Sequence, residues 1–197
     1  MKLPTSIENI LNENIVENAR LELKKNWNPE PILHTICAFA NDIDNWGGGY
    51  ILIGVEEENG RPKMPITGLE LSEIDKIQKE LLAKCKLIQP SYTPIVDVAQ
   101  YKSKNILVVW CFGGQTRPYK CPTTLDKDFS KGYSYYIRKM SSTVKATETE
   151  QKELYDMARI IPFDDRMNHE AEIQDLKLPL IQNYLYEIKS DLLEESE

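Results

Sequence analysis

The chain has 197 residues, 41% hydrophobic and 28% charged, the balance of a globular protein and not of a disordered or fibrous one. No apolar run approaches the roughly 18 residues that a membrane span needs, and "MKLPTSIENILNEN" lacks the apolar core of a secretory signal, so the expectation is a cytoplasmic protein with no membrane partner. The net charge of −7 is unevenly placed: residues 100–149 carry nine Lys and Arg against three Asp and Glu, between acidic flanks.

Thr5 with Glu8 reads as a capping box opening the short helix "SIENILNE". "ARLELK" (19–24) alternates Leu21 and Leu23 against Arg20, Glu22 and Lys24, a half-buried strand. After the proline-broken "NWNPEP", the helix "EPILHTICAFAN" begins with Pro31 in its first turn and spaces Ile32, Leu33, Ile36, Cys37 and Ala40 on one face. "GYILIGV" (49–55) is a continuous apolar strand of the kind buried on both faces. Ser72 starts an amphipathic helix reaching about Ile88, with Ile74, Ile77, Leu81, Cys85 and Ile88 on one stripe. "TPIVDVAQY" and "NILVVWCF" form a hairpin across "YKSKN". "GGQTRPYKCP" is a loop leading into a short extended piece, "GYSYYIRK" a further strand, and "TETEQKELYDMA" a helix whose capping box is Thr147 with Glu150. From Ile161 the polar, proline-bounded "PFDDRMNHEAEIQDLKLP" reads as a linker, and "LPLIQNYLYEIKSDLL" as an amphipathic helix with no following partner, expected either as the start of a further region or as a tail that packs on the body or on another subunit of a homo-oligomer.

Cys37, Cys85, Cys111 and Cys121 show no CxxC pairing and no zinc spacing, so they are expected as reduced, mostly buried small hydrophobes. With only His34 and His169, a histidine base is a poor basis for catalysis. The glycine run Gly47, Gly48, Gly49 has two readings. It permits a tight turn from helix to strand, or it lines a backbone cradle for phosphate; the spacing matches neither a P-loop nor a dinucleotide fingerprint. Glu56, Glu57 and Glu58 follow the buried strand, and are read either as a solvated loop or as the place where a rigid scaffold presents a carboxylate. Glu17, Glu22 and Glu56, from separate segments, make an oxygen donor set of the type that holds Mg²⁺ or Mn²⁺ for phosphodiester cleavage.

The basic stretch interleaves Lys102, Lys104, Arg117, Lys120, Lys131, Arg138, Lys139 and Lys145 with Tyr101, Trp110, Tyr119, Tyr133, Tyr135 and Tyr136. Cations of this density neutralise phosphates, and tyrosines stack on unpaired bases. In "YSYYIRK" the alternation puts Ser134, Tyr136 and Arg138 on one face and Tyr133, Tyr135, Ile137 and Lys139 on the other. The second, more apolar set is assigned to the core, which leaves Tyr136 and Arg138 as exposed contacts. Arg117 precedes Pro118, is therefore held extended, and is expected to point outward.

"ENARLELKK", "ICAFAN", "GGGYILIGVEE", "ITGL", "RPYK" and "YYIRKMSST", in that order, resemble the Schlafen-type AlbA-like domain family over roughly residues 13–160. The resemblance implies nucleic-acid binding, as in bacterial members described as transcriptional regulators; the basic, tyrosine-rich stretch supplies Arg117, Tyr119, Lys120, Tyr136, Arg138 and Lys139 as the expected contacts. It also implies two alternatives. RNA-cleaving animal members use three carboxylates, which fall on Glu17, Glu22 and Glu56, the last standing where an aspartate is usual. Members labelled as divergent ATPases imply ATP binding, for which Gly47, Gly48 and Gly49 are the phosphate-binding candidates. "IPFDDRMNHEAEIQDL" resembles the continuation of bacterial members toward a helicase-like or winged-helix region. The expected architecture is α/β: a mixed sheet of about five or six strands with three main helices, residues 1–160 forming the domain and 161–197 a linker and C-terminal helix.

Overall fold

A computed structural model describes residues 7–12, 18–127, 129–160 and 177–187. The chain divides into two units, 1–161 and 162–197. Unit one runs α1 (Ile7–Asn12), β1 (Leu21–Lys24), α2 (Pro29–Asn41), β2 (Gly49–Ile53), β3 (Glu57–Glu58), β4 (Arg61–Pro62), α3 (Leu71–Cys85), β5 (Ile95–Tyr101), β6 (Lys104–Cys111), β7 (Lys120–Pro122), β8 (Tyr133–Lys139), β9 (Ser142–Lys145) and α4 (Glu148–Ile160). In unit two the described element is α5 (Leu178–Glu187), whose Leu180, Tyr184 and Tyr186 are exposed.

The α/β class with mixed strand directions is as the sequence predicts, but the strands divide among three sheets instead of joining one. The central sheet has the order β1-β2-β6-β5, with β1 and β2 parallel and the remaining pairs antiparallel. A second sheet, β7-β8-β9, is antiparallel throughout, and β3-β4 is a small hairpin. β3 and β4, of two residues each, are too short to announce themselves by alternation.

Strand alternation sorts the central sheet into two apolar faces. Leu21, Leu23, Leu52, Ile106 and Val108 pack with Ile7, Ile10 and Leu11 of α1. Ile51, Ile53, Leu107 and Val109 face the other way, onto α2 and the Ile74–Ile77–Leu81–Cys85 stripe of α3. β2 is thus apolar on both faces, as its unbroken run demands. α2 is buried from Ile32 to Asn41 apart from a half-buried His34, because it lies between the two larger sheets and shares a core with Tyr119, Cys121 and Tyr136 of the second. Each large aliphatic or aromatic side chain sealed there contributes about 1.5–3 kcal/mol. All four cysteines are free and buried in this core.

The turn from α2 into β2 explains two glycines. Gly48 has φ +80°, and a methyl group there would overlap the Cys111 carbonyl oxygen; at Gly49 it would overlap the Phe39 ring. At the other end of the unit the capping box around Thr147 forms: the Thr147 amide and hydroxyl donate to Glu150 Oε2 at 2.7 and 2.8 Å, and the Glu150 amide donates back to Thr147 Oγ1 at 3.4 Å. Thr147→Ala is expected to lower stability by about 1 kcal/mol, read as a shift in urea midpoint at constant slope. The corresponding Thr5 box falls outside the described residues.

Candidate nucleic-acid interface

Four residues expected at the interface are inside the protein: Arg117, Tyr119, Tyr136 and Arg138 are 6, 3, 4 and 6% exposed. The cause is that β8 is covered on both faces. Its Tyr136 and Arg138 side packs on α2, while Ile137 on the other side packs with Ala146 and Leu154 of the α4 layer. Tyr136 stacks on His34 with ring centroids 4.1 Å apart, and burial holds the His34 imidazole below its ordinary pKa. Arg138 Nη1 donates to Glu22 Oε2 at 2.6 Å and to Thr143 Oγ1 at 3.0 Å, Nη2 donates to the Asn18 carbonyl at 3.0 Å, and the guanidinium lies 5.2 Å from the Phe39 ring. Arg117 turns inward as well, donating from Nε to the Gly114 carbonyl at 2.9 Å and from Nη1 to the Asp42 carbonyl at 3.1 Å. These arginines tie the second sheet and its approach loop to β1 and α2.

Asn41, the last residue of "ICAFAN", is the polar centre of the same junction and is fully buried. Its Nδ2 donates to the carbonyls of Tyr119 and Tyr136 at 2.9 and 2.7 Å, and its Oδ1 accepts the Tyr119 amide at 2.6 Å. One side chain thereby satisfies backbone groups on β8 and at the approach to β7.

Of the two readings of the glycine run, the geometry matches the turn. Asp42 accepts the Trp46 amide on Oδ1 at 3.0 Å and the Gly47 amide on Oδ2 at 2.9 Å. A carboxylate of the protein therefore occupies the amide cradle that would have faced a phosphate, while the Gly48 carbonyl accepts Arg20 Nε at 3.0 Å.

The candidate carboxylates are engaged separately. Glu22 is buried between Arg138 and Lys24, the latter 2.5 Å away. Glu56 lies beyond β2, bound by Lys25 at 3.0 Å and Lys63 at 3.8 Å, and the hydrogen bond from Lys25 holds its pKa below the usual carboxylate value. Glu17 lies outside the described residues. Among the described residues no group of three His, Cys, Asp or Glu is arranged to hold a metal ion. With the Glu22 oxygens already facing two cations, Glu22 and Glu56 as they stand do not fit a divalent-cation site.

What the second sheet leaves half-open is the Tyr133–Tyr135 end of the face assigned to the core from sequence, while Ile137 on that face is buried as expected. Tyr133 and Tyr135 are only partly buried, because α4 covers the Ile137 end of β8 and leaves the other end open. Phe129 touches Tyr133 edge-to-face at 6.3 Å, Lys120 Nζ stands 5.9 Å over the Tyr133 ring, and Tyr135 meets the exposed Tyr155 at 6.2 Å with a 2.8 Å hydroxyl contact. Burial, aided by that contact, pushes the Tyr135 hydroxyl up to about 12 and keeps it neutral. Lys120 sits directly across from Tyr135 in the β7–β8 register, and Lys131 is exposed at the neighbouring turn. Lys120 thus remains a surface candidate. Lys139 is exposed too, but is ion-paired to Glu150. The signal for Tyr133 and Tyr135 was present in the alternation; Phe129 and Tyr155 join them only through the tertiary fold.

The family model described as "Schlafen, AlbA_2" matches residues 17–147. No curated protein matches the chain. Among solved structures, the DIP2311 protein from Corynebacterium diphtheriae is 18% identical with a TM-score of 0.48, over 72% of this chain and 28% of that one. The N-terminal domain of a RecG-related protein from Nitrosomonas europaea is 28% identical with a TM-score of 0.40, over 54% of this chain and 68% of that one. The chain therefore spans under a third of the DIP2311 chain and about two thirds of the RecG-related domain.

Proposed function

Because the chain belongs to the Schlafen, AlbA_2 family, we propose that unit one is a nucleic-acid-binding domain serving in a transcriptional regulator, and that it engages unpaired bases on the open face of β7–β8–β9. The observation that carries this reading is the two aromatic pairs Phe129–Tyr133 and Tyr135–Tyr155, whose strand residues share one side of β8, with Lys120 over the Tyr133 ring and Lys131 exposed at the neighbouring turn. Ring faces accept stacked bases without regard to sequence, and the lysines draw the phosphates between them. Such a platform differs in kind from the arginines inside the domain, which are consumed by internal contacts.

The test is anisotropy of a labelled single-stranded oligonucleotide across a salt series. Affinity is expected to fall steeply with salt. Tyr133→Ala and Tyr135→Ala are each expected to weaken binding by roughly tenfold, since each removes a stacking contact of about 1–3 kcal/mol. Lys120→Ala should reduce the salt slope by about one unit of charge. Binding that ignores salt, or that survives loss of both tyrosines in a folded variant, would overturn the assignment.

A further inference from the structure

A cleft of about 400 Å³ opens at the β5–β6 turn, lined by Met64, Pro65, Ile66, Tyr101, Lys102 and Lys104. Its floor is firm, because Ile66 and Tyr101 are buried members of the core on the α1 side of the central sheet. Its rim is apolar and open, with Met64 48% exposed and Pro65 exposed beside it. The lysines are placed by the hairpin itself. Lys102 and Ser103 form a two-residue turn with φ +47° and +63°, the conformation whose twist matches that of the paired strands. Lys102 Nζ lies 5.2 Å from the Tyr101 ring centroid, and the stem of Lys104 packs close to Gly68.

Among the described residues the lining contains no acidic side chain. Of the glutamates that precede the lining segment, Glu56 binds Lys25 and Lys63, and Glu58 binds Lys63 at 3.4 Å, while Glu70 stands four residues beyond Ile66 and Asp97 four before Tyr101. The volume lies within the range of small-molecule sites, about 300–1,000 Å³. An apolar trough with two lysines in its lining complements a molecule with an apolar body and one anionic end. A nucleotide suits it less well, because the polar edge of a base would leave water for side chains that offer it few hydrogen bonds.

We propose that this cleft binds a small hydrophobic carboxylate, its apolar body against Met64, Pro65 and Ile66 and its carboxylate between the ammonium groups of Lys102 and Lys104. The site is independent of the aromatic platform on the second sheet.

The experiment follows the methionine methyl signals of the full chain, ¹³C-labelled, with Met64 assigned through Met64→Leu. Titration with 2-naphthoate is expected to shift the Met64 signal saturably, with a Kd below about 1 mM. In Lys102→Ala/Lys104→Ala the Kd should rise at least about tenfold, while the other methionine signals show the fold unchanged. Neutral 2-naphthalenemethanol should bind the parent chain as weakly as naphthoate binds that variant. Adenosine monophosphate should leave the Met64 signal in place. The proposal is overturned by an absence of saturable shift with naphthoate, by equal naphthoate affinity in the lysine variant, or by tighter binding of the nucleotide.

Discussion

Asn41→Leu is expected to destabilise unit one by about 4 kcal/mol, a large share of the roughly 5–15 kcal/mol that holds a domain together. The side chain is fully buried and makes three hydrogen bonds to main-chain groups on two segments. Leucine fills similar space but strands the Tyr136 carbonyl and the Tyr119 amide, at about 1–3 kcal/mol each. The Tyr119 carbonyl keeps one weak donor, the Cys37 thiol at 3.3 Å, so its loss is smaller. Asn41→Asp separates shape from hydrogen bonding. Its oxygen still accepts the Tyr119 amide, but its other oxygen faces two carbonyls and the charge is buried, so a loss of similar size is expected. Urea unfolding followed by tryptophan fluorescence measures both. A loss under about 1 kcal/mol for Asn41→Leu would show that the junction relaxes around the vacancy.

The second large effect concerns Arg138. Arg138→Met removes the buried partner of Glu22 together with hydrogen bonds to Thr143 and Asn18. Breaking one side of a buried ion pair costs about 3–5 kcal/mol. The low end is expected, because Lys24 remains 2.5 Å from Glu22 and is itself partly solvated. Glu22→Leu/Arg138→Met should recover most of the loss, since an apolar pair of similar volume leaves no orphan charge. Any fall in oligonucleotide affinity in Arg138→Met is expected to track the unfolded fraction. A drop in affinity in a fully folded variant would return Arg138 to the interface.

The fold was legible wherever the chain has a period. The alternation of β1, the apolar run of β2, the stripe of α3 and the hairpin around Lys102 and Ser103 all stand near their predicted bounds. The site was less legible, for a specific reason. Alternation along "YSYYIRK" separates the two faces correctly but says nothing of what covers each. α2, already committed to the central sheet, also covers the Tyr136 and Arg138 side, so the side expected to be exposed is buried, while Ile137 of the other side is buried as expected. Charge misled in the same way: the density of Lys and Arg in residues 100–149 counts Arg117 and Arg138, which are absorbed by carbonyls and by Glu22. Nothing local to an arginine reveals a carboxylate 116 residues away.

The double burial of α2 sets the limits of dissection. A break in the loop between β6 and β7 would deprive Asn41 of its carbonyls and Glu22 of its guanidinium, and would bare an oily flank of the helix. The first half would keep the layer beneath α1, but the layer around α2 draws on both halves, so proteolysis and the building of chimaeras must treat that shared layer as one block.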